Sequence, residues 1–301
     1  MFTDCNPSGR PTKEHIMSKA IYDAVTASII SELENGAAPW IKPWKAGVEH
    51  GADRNMVSGK AYQGINRLIL GMAGLMRSTP VWATYKQWQD LGGQVKKGEK
   101  GTSIVFFTPH AKAKDAATGE EKTYMLLKQS FVFNADQVDG IEITPKTVEI
   151  NEVERDNDCE AFILRTGATI SHGGDAAFYS STHDSIKLPH PQTFDGMSNY
   201  YATAFHELAH WTGNKTRLDR KFGERFGNPD YAFEELVAEM TAAFLCQDYS
   251  VQGELRHAGY ISHWLKACRD DSKAIFKAAA LAQKAADYLN GLGQAEEKIA
   301  A

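Results

Sequence analysis

The feature that most constrains this sequence is a His-Glu-x-x-His motif, formed by His206, Glu207 and His210. The motif lies in an amphipathic stretch, residues 198–213, in which apolar residues recur at helical spacing, Ser198 can cap the start and a glycine can end the helix. Residues four apart share one face of a helix, so the two imidazoles can bind the same metal ion. Glu207 lies beside them and can accept a proton from a metal-bound water.

A second amphipathic stretch, residues 231–249, can supply a third ligand. Glu235 and Glu239 lie one helical turn apart in it. A catalytic zinc ion usually has three protein ligands and one open position. We predict that Glu235 is the third ligand and that Glu239 orients a ligating histidine through its free ring nitrogen. Glu239, and after it Glu234, are the alternative ligands. The predicted ion is Zn²⁺, with another divalent metal such as Mn²⁺ as the alternative.

A non-functional interpretation of these residues has to be considered. The five-residue motif arises by chance in a chain of this length about one time in a hundred. Two glutamates one turn apart more often belong to a solvated helix face. The helical context of the motif and the carboxylates on the following helix favour the metal site over both alternatives.

Length and composition indicate a soluble protein with two domains. The chain has 301 residues, of which 43% are hydrophobic and 24% charged, and no apolar run is long enough to span a membrane. Residues 1–12 have no signal-peptide pattern and are predicted to be a disordered leader, so a cytoplasmic location is expected. Four scattered cysteines are typical of reduced thiols rather than of disulfides.

Charge divides the chain into two parts. Residues 1–130 contain 17 Lys+Arg and 12 Asp+Glu, whereas residues 131–301 contain 16 and 26. A basic front and an acidic rear suggest modules with different partners. The predicted class is α+β. A mixed α/β DNA-binding domain occupies residues 13–135, a linker residues 136–158, and a metallopeptidase-type domain residues 159–301.

The front part carries a signal for binding single-stranded DNA. Residues 39–45 alternate tryptophan and lysine between two prolines, which favours an extended segment. Aromatic rings can stack on bases while cations follow the phosphates. The alternative is a mildly basic surface with buried tryptophans, and the aromatic residues of 82–88 are expected to be core. The candidate DNA-binding residues are Trp40, Lys42, Trp44, Lys45, Lys60, Arg67, Lys96, Lys97 and Lys100.

Periodicity predicts the remaining elements. Strands are expected at 103–108 and 125–134, paired with each other, and at 176–180 and 185–188, where an edge strand could pair with an extended substrate. The charged connection 215–230 is expected to form a mobile rim of the cleft. Conceivable donors to an oxyanion are Tyr179, His183, Tyr200 and Tyr231.

The sequence resembles the ArdC family of plasmid-borne antirestriction proteins over nearly its whole length after the leader. The resemblance lies in residues 55–66, 82–88, 92–107, 186–189 (Ile-Lys-Leu-Pro), 205–213 (ending His-Trp-Thr-Gly), 217–218 and 234–245. It implies a front domain shared with some conjugative primases and associated with single-stranded DNA, followed by a zincin-like domain related to the SprT-like group. It implies metal ligands at His206 and His210, a catalytic Glu207, and a third ligand on the helix of Glu235 and Glu239.

Three functions are compatible with these observations. The first is a single-stranded DNA-binding protein that protects incoming plasmid DNA from restriction during conjugation and has a competent metallopeptidase site, which acts on a protein substrate near the DNA. The second is a DNA-coating protein whose metal site is structural or vestigial. The third is a housekeeping peptidase with an incidental front domain. Glu207 favours the first, because a structural site has no need of a carboxylate that activates water.

Overall fold

The computed structural model describes residues 13–34, 52–74, 77–109, 113–114, 121–122, 125–143, 156–220, 229–251 and 261–292. The front part of the chain contains three helices and eight short or medium strands within these ranges. They are α1 (Lys13–Glu34), β1 (Arg54–Asn55), α2 (Ile65–Ala73), β2 (Val81–Thr84), α3 (Tyr85–Asp90), β3 (Gln94–Val95), β4 (Thr102–Pro109), β5 (Ala113–Lys114), β6 (Glu121–Lys122), β7 (Met125–Asn134) and β8 (Val138–Asp139).

The rear part is mainly helical, with one small sheet. Its elements are α4 (Asn157–Arg165), β9 (Thr169–His172), β10 (Phe178–Ser180), β11 (Ser185–Leu188), α5 (Met197–Thr212), α6 (Pro229–Asp248), α7 (Ile261–Asp270) and α8 (Ala274–Gly291). The predicted class, a two-domain mixture of helices and sheets, is confirmed. No helix of the described residues is long and apolar enough to cross a membrane.

A four-stranded sheet in the order β1-β2-β7-β4 organises the front domain. β7 pairs antiparallel with both β2 and β4, which confirms the predicted pairing of the two longest strands. Asn66 of α2 covers the open edge of β4: its Nδ2 donates to the Val105 carbonyl at 2.7 Å, and its Oδ1 accepts from the Val105 amide at 2.9 Å. These bonds satisfy backbone groups that an edge strand would otherwise expose. Trp82 and Trp88 are fully buried, as expected for core residues.

The rear sheet has the order β10-β11-β9, so β10 is an edge strand, as the substrate-binding interpretation requires. β9 runs parallel to β11 and was not predicted. Its sequence, Thr-Ile-Ser-His, has a single apolar residue and therefore almost no strand pattern. Ile186 and Leu188 of β11 are fully buried beneath α5, which fixes the sheet against the motif helix.

Helix α5 agrees with the prediction to within one residue, but not in its cap. Gly196, with φ of 86°, occupies the N-cap without a side-chain bond, and Ser198 lies inside the first turn. A glycine adopts this left-handed conformation at little cost, so the chain turns sharply into the helix at Gly196.

The largest hydrophobic core contains residues of both domains, and the front domain also has two smaller clusters of its own, around Trp88 and Trp82. Ile29 and Leu33 of α1 belong to the same cluster of buried residues as Phe205 of α5. α1 also contacts the rear helices directly: Thr26 Oγ1 donates to the Ser272 carbonyl at 2.7 Å. The apolar positions of α1 predicted its helical fold, but periodicity does not reveal which domain an apolar stripe contacts.

Several predictions lie wholly or partly outside the described residues. These are the leader 1–12, the tryptophan–lysine segment 39–45, and parts of the proposed linker and rim. Within the proposed linker, β8 pairs with β3, and α4 begins at Asn157. The exact domain boundaries remain predictions.

Candidate metal centre and nucleic-acid interface

Helices α5 and α6 bring together His206, His210 and Glu235, the three residues predicted as metal ligands. The two Nε2 atoms of the histidines lie 3.1 Å apart. Glu235 directs Oε2 to within 3.6 Å of His206 Nε2, and Oε1 to within 3.5 Å of His210 Nε2. All three residues are buried, with exposures of 3%, 9% and 6% for His206, His210 and Glu235.

This geometry fits a divalent metal ion. A tetrahedral ion with bonds of about 2.0–2.2 Å holds its neighbouring donors roughly 3.3–3.6 Å apart, close to the three separations between these side chains. Two imidazole nitrogens and one carboxylate oxygen form the donor set of catalytic zinc sites, and three protein ligands leave one position for water or substrate. Helices α5 and α6 are therefore arranged for a divalent ion, whose identity the donors alone do not fix.

A carboxylate stands behind each of the two histidines. Glu239 Oε1 lies 3.7 Å from His206 Nδ1, and Glu234 Oε1 lies 3.4 Å from His210 Nδ1. Such carboxylates fix the orientation of a ligating imidazole through its second nitrogen. These distances support the role predicted for Glu239. They give Glu234, considered only as a third-choice ligand, an equivalent place behind the other histidine.

Arg220 holds Glu234 in place and was missed by the sequence reasoning. Its Nε donates to Glu234 Oε2 at 2.9 Å and its Nη2 to Glu234 Oε1 at 2.8 Å. The same guanidinium donates to the Ala209 carbonyl at 2.6 Å and to Thr212 Oγ1 at 2.7 Å, both at the end of α5. A lone arginine in a charged connection carries no sequence signal of this role, because all of its partners are brought to it by folding.

The electrostatics of the centre favour a cation. Burial lowers the pKa of His210, but the hydrogen bond to Glu234 and the charges of Glu235 and Glu207 outweigh it and raise the pKa to about 8. Burial raises the pKa of Glu235, but its contacts with His206 and His210 outweigh this effect and hold the pKa below its usual value. Buried carboxylates that remain ionised create a negative potential into which a metal ion fits.

Of the four conceivable oxyanion donors, Tyr231 is the one placed at the centre. Its hydroxyl hydrogen-bonds to Glu235. The other three have partners elsewhere: Tyr200 bonds to His172, Tyr179 to Asp184, and His183 to Ser180. A tyrosine at the start of α6 is well placed to contact both a ligand and a group bound beside it.

A polar cluster ties the β10–β11 hairpin to the end of α5. Arg217 stacks on the Trp211 ring at 3.8 Å and donates to both carboxylate oxygens of Asp184, through Nη1 at 2.9 Å and through Nη2. Tyr179 donates to Asp184 at 2.8 Å and accepts from Asn214 at 2.8 Å. The cluster holds the edge strand in a fixed position relative to the metal helix.

The predicted DNA-binding residues that the structure describes differ in exposure. Lys60, Lys96, Lys97 and Lys100 are exposed on the front domain. Lys96 is partly engaged, because its Nζ donates to the Asp136 carbonyl at 2.9 Å. The segment with Trp40, Lys42, Trp44 and Lys45 lies outside the described residues.

Arg67 is buried, and its position argues against the predicted contact with DNA. It is 3% exposed, and it donates to the Phe244 carbonyl at 2.7 Å and to Asp248 Oδ1 at 2.8 Å. Its Nε donates to Gln247 at 3.1 Å. All of these partners lie on α6, so Arg67 fastens the front domain to the helix that carries Glu235.

Fold and site together define a zincin-like metallopeptidase domain attached to a second α/β domain. Residues 157–281 match the family model described as zincin-like metallopeptidase, and residues 19–134 match the N-terminal domain of anti-restriction factor ArdC. A crystal structure of the antirestriction ArdC protein from the R388 plasmid, described as metal-free, is similar with a TM-score of 0.76 and 40% identity, covering 89% of this chain and 96% of that one. The Mn(II)-bound structure of that protein has a TM-score of 0.73 and 38% identity over the same shares.

Two kinds of curated relatives agree with this assignment. The uncharacterized protein y4eC of Sinorhizobium fredii is 39% identical over 90% of this chain and 91% of its own length. A DNA primase TraC of Escherichia coli is 39% identical over 90% of this chain, but the match covers only 20% of the primase. The chain belongs to the ArdC family of antirestriction proteins.

Proposed function

We propose that this protein protects plasmid DNA entering a restricting cell by binding it as a single strand, and that its metal centre hydrolyses a protein bound near that DNA. Membership of the ArdC family supports the plasmid-related antirestriction role. The TraC proteins, which are named as DNA primases, contain a segment similar to this chain, and this similarity supports a role at DNA.

The observation that carries the enzymatic part is Glu207, which lies on the same helix as the two histidine ligands. His206, His210 and Glu235 supply three donors and leave a position open. A purely structural zinc site is usually closed by four protein ligands, and it needs no adjacent base. When bound, a divalent metal would polarise the scissile carbonyl and lower the pKa of a water.

Each residue then has a defined task. Glu207 accepts the proton of the attacking water and returns it to the leaving amine. The edge strand β10 pairs with an extended substrate and aligns its backbone, and the hydroxyl of Tyr231 donates to the oxyanion. Glu234 and Glu239 keep the two imidazoles in their ligating orientation.

One observation favours the second candidate, a DNA-coating protein whose metal site is not used for hydrolysis. Glu207 is 6% exposed, and the three ligands beside it are equally enclosed. A peptide can reach them only if the surrounding segments open, so a closed site is compatible with a structural ion.

The experiment that separates the two candidates compares wild type with Glu207→Gln. A plasmid carrying each gene is transferred by conjugation into recipients with and without a restriction enzyme, and surviving transconjugants are counted. Glutamine keeps the shape of the side chain but cannot take the proton, while all three ligands remain. We expect protection to be lost with metal content unchanged.

Glu142→Gln, which changes an exposed glutamate of the predicted linker, is the matched control and should protect like wild type. Full protection by Glu207→Gln would contradict the peptidase proposal and support the DNA-coating candidate. His206→Ala should lower the metal content of the purified protein, and an unchanged stoichiometry would contradict the ligand assignment.

A further inference from the structure

One face of the front sheet carries aromatic rings that are partly exposed. Phe131 of β7 is 50% exposed and Tyr85 of α3 is 42% exposed. Side chains alternate between the faces of a strand, so Phe131, Phe133 and Gln129 share this face. The Phe133 ring is half-buried and meets the Tyr85 ring edge-on at 6.2 Å. Phe131 lies two residues before Phe133 on the same face, and the three residues are named here the aromatic face: Tyr85, Phe131 and Phe133.

A glycine beside these rings keeps them in place. Gly101 precedes β4 and lies opposite Phe133 in the continued register. A Cβ at Gly101 would come within 3.0 Å of Phe133 Cζ and 3.1 Å of the Phe131 Cβ. A side chain at Gly101 would therefore crowd the Phe133 ring and the base of the Phe131 side chain, and a glycine avoids this crowding.

A groove extends the aromatic face along the sheet. It has a volume of about 420 Å³. Its floor includes Ser103, which is the register partner of Phe131, and Gln129, while Val25 of α1 and Met72 of α2 contribute to its walls. A polar floor between apolar walls suits a nucleobase, whose edge forms hydrogen bonds and whose faces are apolar.

Lysines border the aromatic face. Residues 77–109 contain five Lys+Arg and two Asp+Glu, a net charge of +3. Lys86 follows Tyr85, while Lys97 and Lys100 lie on the turn before Gly101, and all three are exposed. The carboxylate of that turn, Glu99, is neutralised locally: it accepts from Gln137 at 2.7 Å and faces Arg77 at 3.8 Å.

We propose that the aromatic face is the surface on which single-stranded DNA stacks its bases, with Lys86, Lys97 and Lys100 contacting the phosphates. The inference rests on the proposed DNA binding and gives it a location that differs from the predicted tryptophan–lysine segment. Exposed aromatic rings flanked by cations bind single strands, whereas a duplex hides its bases from stacking. From Phe133 to Gln129 the strand rises roughly 13 Å, which accommodates two or three bases.

The test is fluorescence anisotropy of a labelled 20-nucleotide oligothymidine with the full-length protein. Phe131→Ala and Tyr85→Ala should each raise the Kd about tenfold to a hundredfold, the range for loss of one stacked base. Phe131→Trp restores a stacking ring and should bind within a few-fold of wild type. Adding DNA should also quench the fluorescence of the new indole, so the decrease in tryptophan fluorescence should be larger for Phe131→Trp than for wild type. Lys97→Gln with Lys100→Gln should reduce the slope of log Kd against log salt by about 1.4, or 0.7 per phosphate.

Phe106→Ala is the matched control. Phe106 is 42% exposed on the same sheet, but it lies three residues after Ser103 and therefore on the opposite face. The Phe106→Ala protein should bind the oligonucleotide like wild type. The thermal unfolding and the metal content of each variant are compared with those of wild type.

The outcomes distinguish this inference from the proposed function. If wild type does not bind the oligonucleotide, both fail together. If wild type binds and Phe131→Ala and Tyr85→Ala bind equally well, the DNA-binding function stands and its assignment to the aromatic face is overturned. Equal loss of duplex and single-strand binding in these variants would also overturn it, because stacking requires unpaired bases.

Discussion

Replacing Arg220 should weaken metal binding although Arg220 touches no metal ligand. Its guanidinium makes two bonds to Glu234, which in turn faces Nδ1 of His210. In Arg220→Met the Glu234 carboxylate loses both hydrogen bonds from the guanidinium, and the two bonds from the guanidinium to the end of α5 are lost as well. Neither the position nor the charge of Glu234 is then fixed. The expected result is a centre with the same three donors but a poorly oriented His210.

The expected losses of metal affinity and of folding free energy follow from the role and the burial of the Arg220–Glu234 ion pair. Loss of a carboxylate that orients a ligating histidine typically costs ten- to a hundredfold in metal affinity, or about 1.4–2.7 kcal/mol. Both side chains are about 95% buried, and breaking such a pair costs about 3–5 kcal/mol of folding free energy. Arg220→Lys should lie between wild type and Arg220→Met, because a lysine keeps the charge but not the planar fork.

The assay is competition for Zn²⁺ with a chromophoric chelator, together with the visible absorption of the Co²⁺-loaded protein as a record of coordination geometry. Unfolding of the metal-free protein measures the structural cost separately. Arg165→Met is the control, since Arg165 is an exposed arginine of the same domain. An Arg220→Met protein with wild-type metal affinity and an unchanged Co²⁺ spectrum would refute the positioning role, whatever its loss of stability.

Three further predictions concern the packing around the centre. Arg67→Met should destabilise the protein by about 3 kcal/mol in denaturant unfolding, because it removes the ion pair with Asp248 and the bond to the buried Phe244 carbonyl. A change below about 0.5 kcal/mol would show that the bonds from Arg67 to α6 are not formed. The hydrogen bonds from Arg217 hold the pKa of Asp184 below its usual value, so this carboxylate stabilises the fold at neutral pH and that contribution is lost as the pH falls through its lowered pKa. Asp184→Asn, which tolerates the φ of 48° at this position, should therefore be less stable than wild type at pH 7, and the difference should shrink below about pH 4; a difference independent of pH would contradict the ion pair. Tyr231→Phe should retain the metal but reduce any hydrolytic activity, and equal activity of the two proteins would remove Tyr231 from the mechanism.

The metal centre could be predicted from the sequence to the extent that its geometry is local. The spacing of His206 and His210 fixes their common face once the segment is helical, and the same argument applies to Glu235 and Glu239. The structure brings these four side chains together. The position of Glu234 behind His210 depends on which side of α6 packs against α5. The sequence pattern of adjacent glutamates does not predict that side.

Charge patterning was a weaker guide in the front domain. Arg67 was interpreted as a DNA contact because it is a cation among aromatic residues, but tertiary packing buries it against α6. Conversely, Phe131 and Phe133 belong to a run of three apolar residues in β7, and such a run favours burial on both faces of a strand. Only the register with β4 and the groove between α1 and α2 show that this part of the face remains open.

The position of α6 explains why the front and rear of this chain are not independent modules. Glu235 and Glu239 of the metal centre lie near its middle, and its last turn carries Asp248, the partner of Arg67. From Glu239 to Asp248 the helix rises about 13 Å, a distance over which a packed helix behaves as a rigid rod. Removing the front domain would uncover the shared core and leave Asp248 and the Phe244 carbonyl without Arg67. The metal centre is therefore built on a helix whose far end is held by the domain proposed to bind DNA, and the two activities have to be measured in the intact chain.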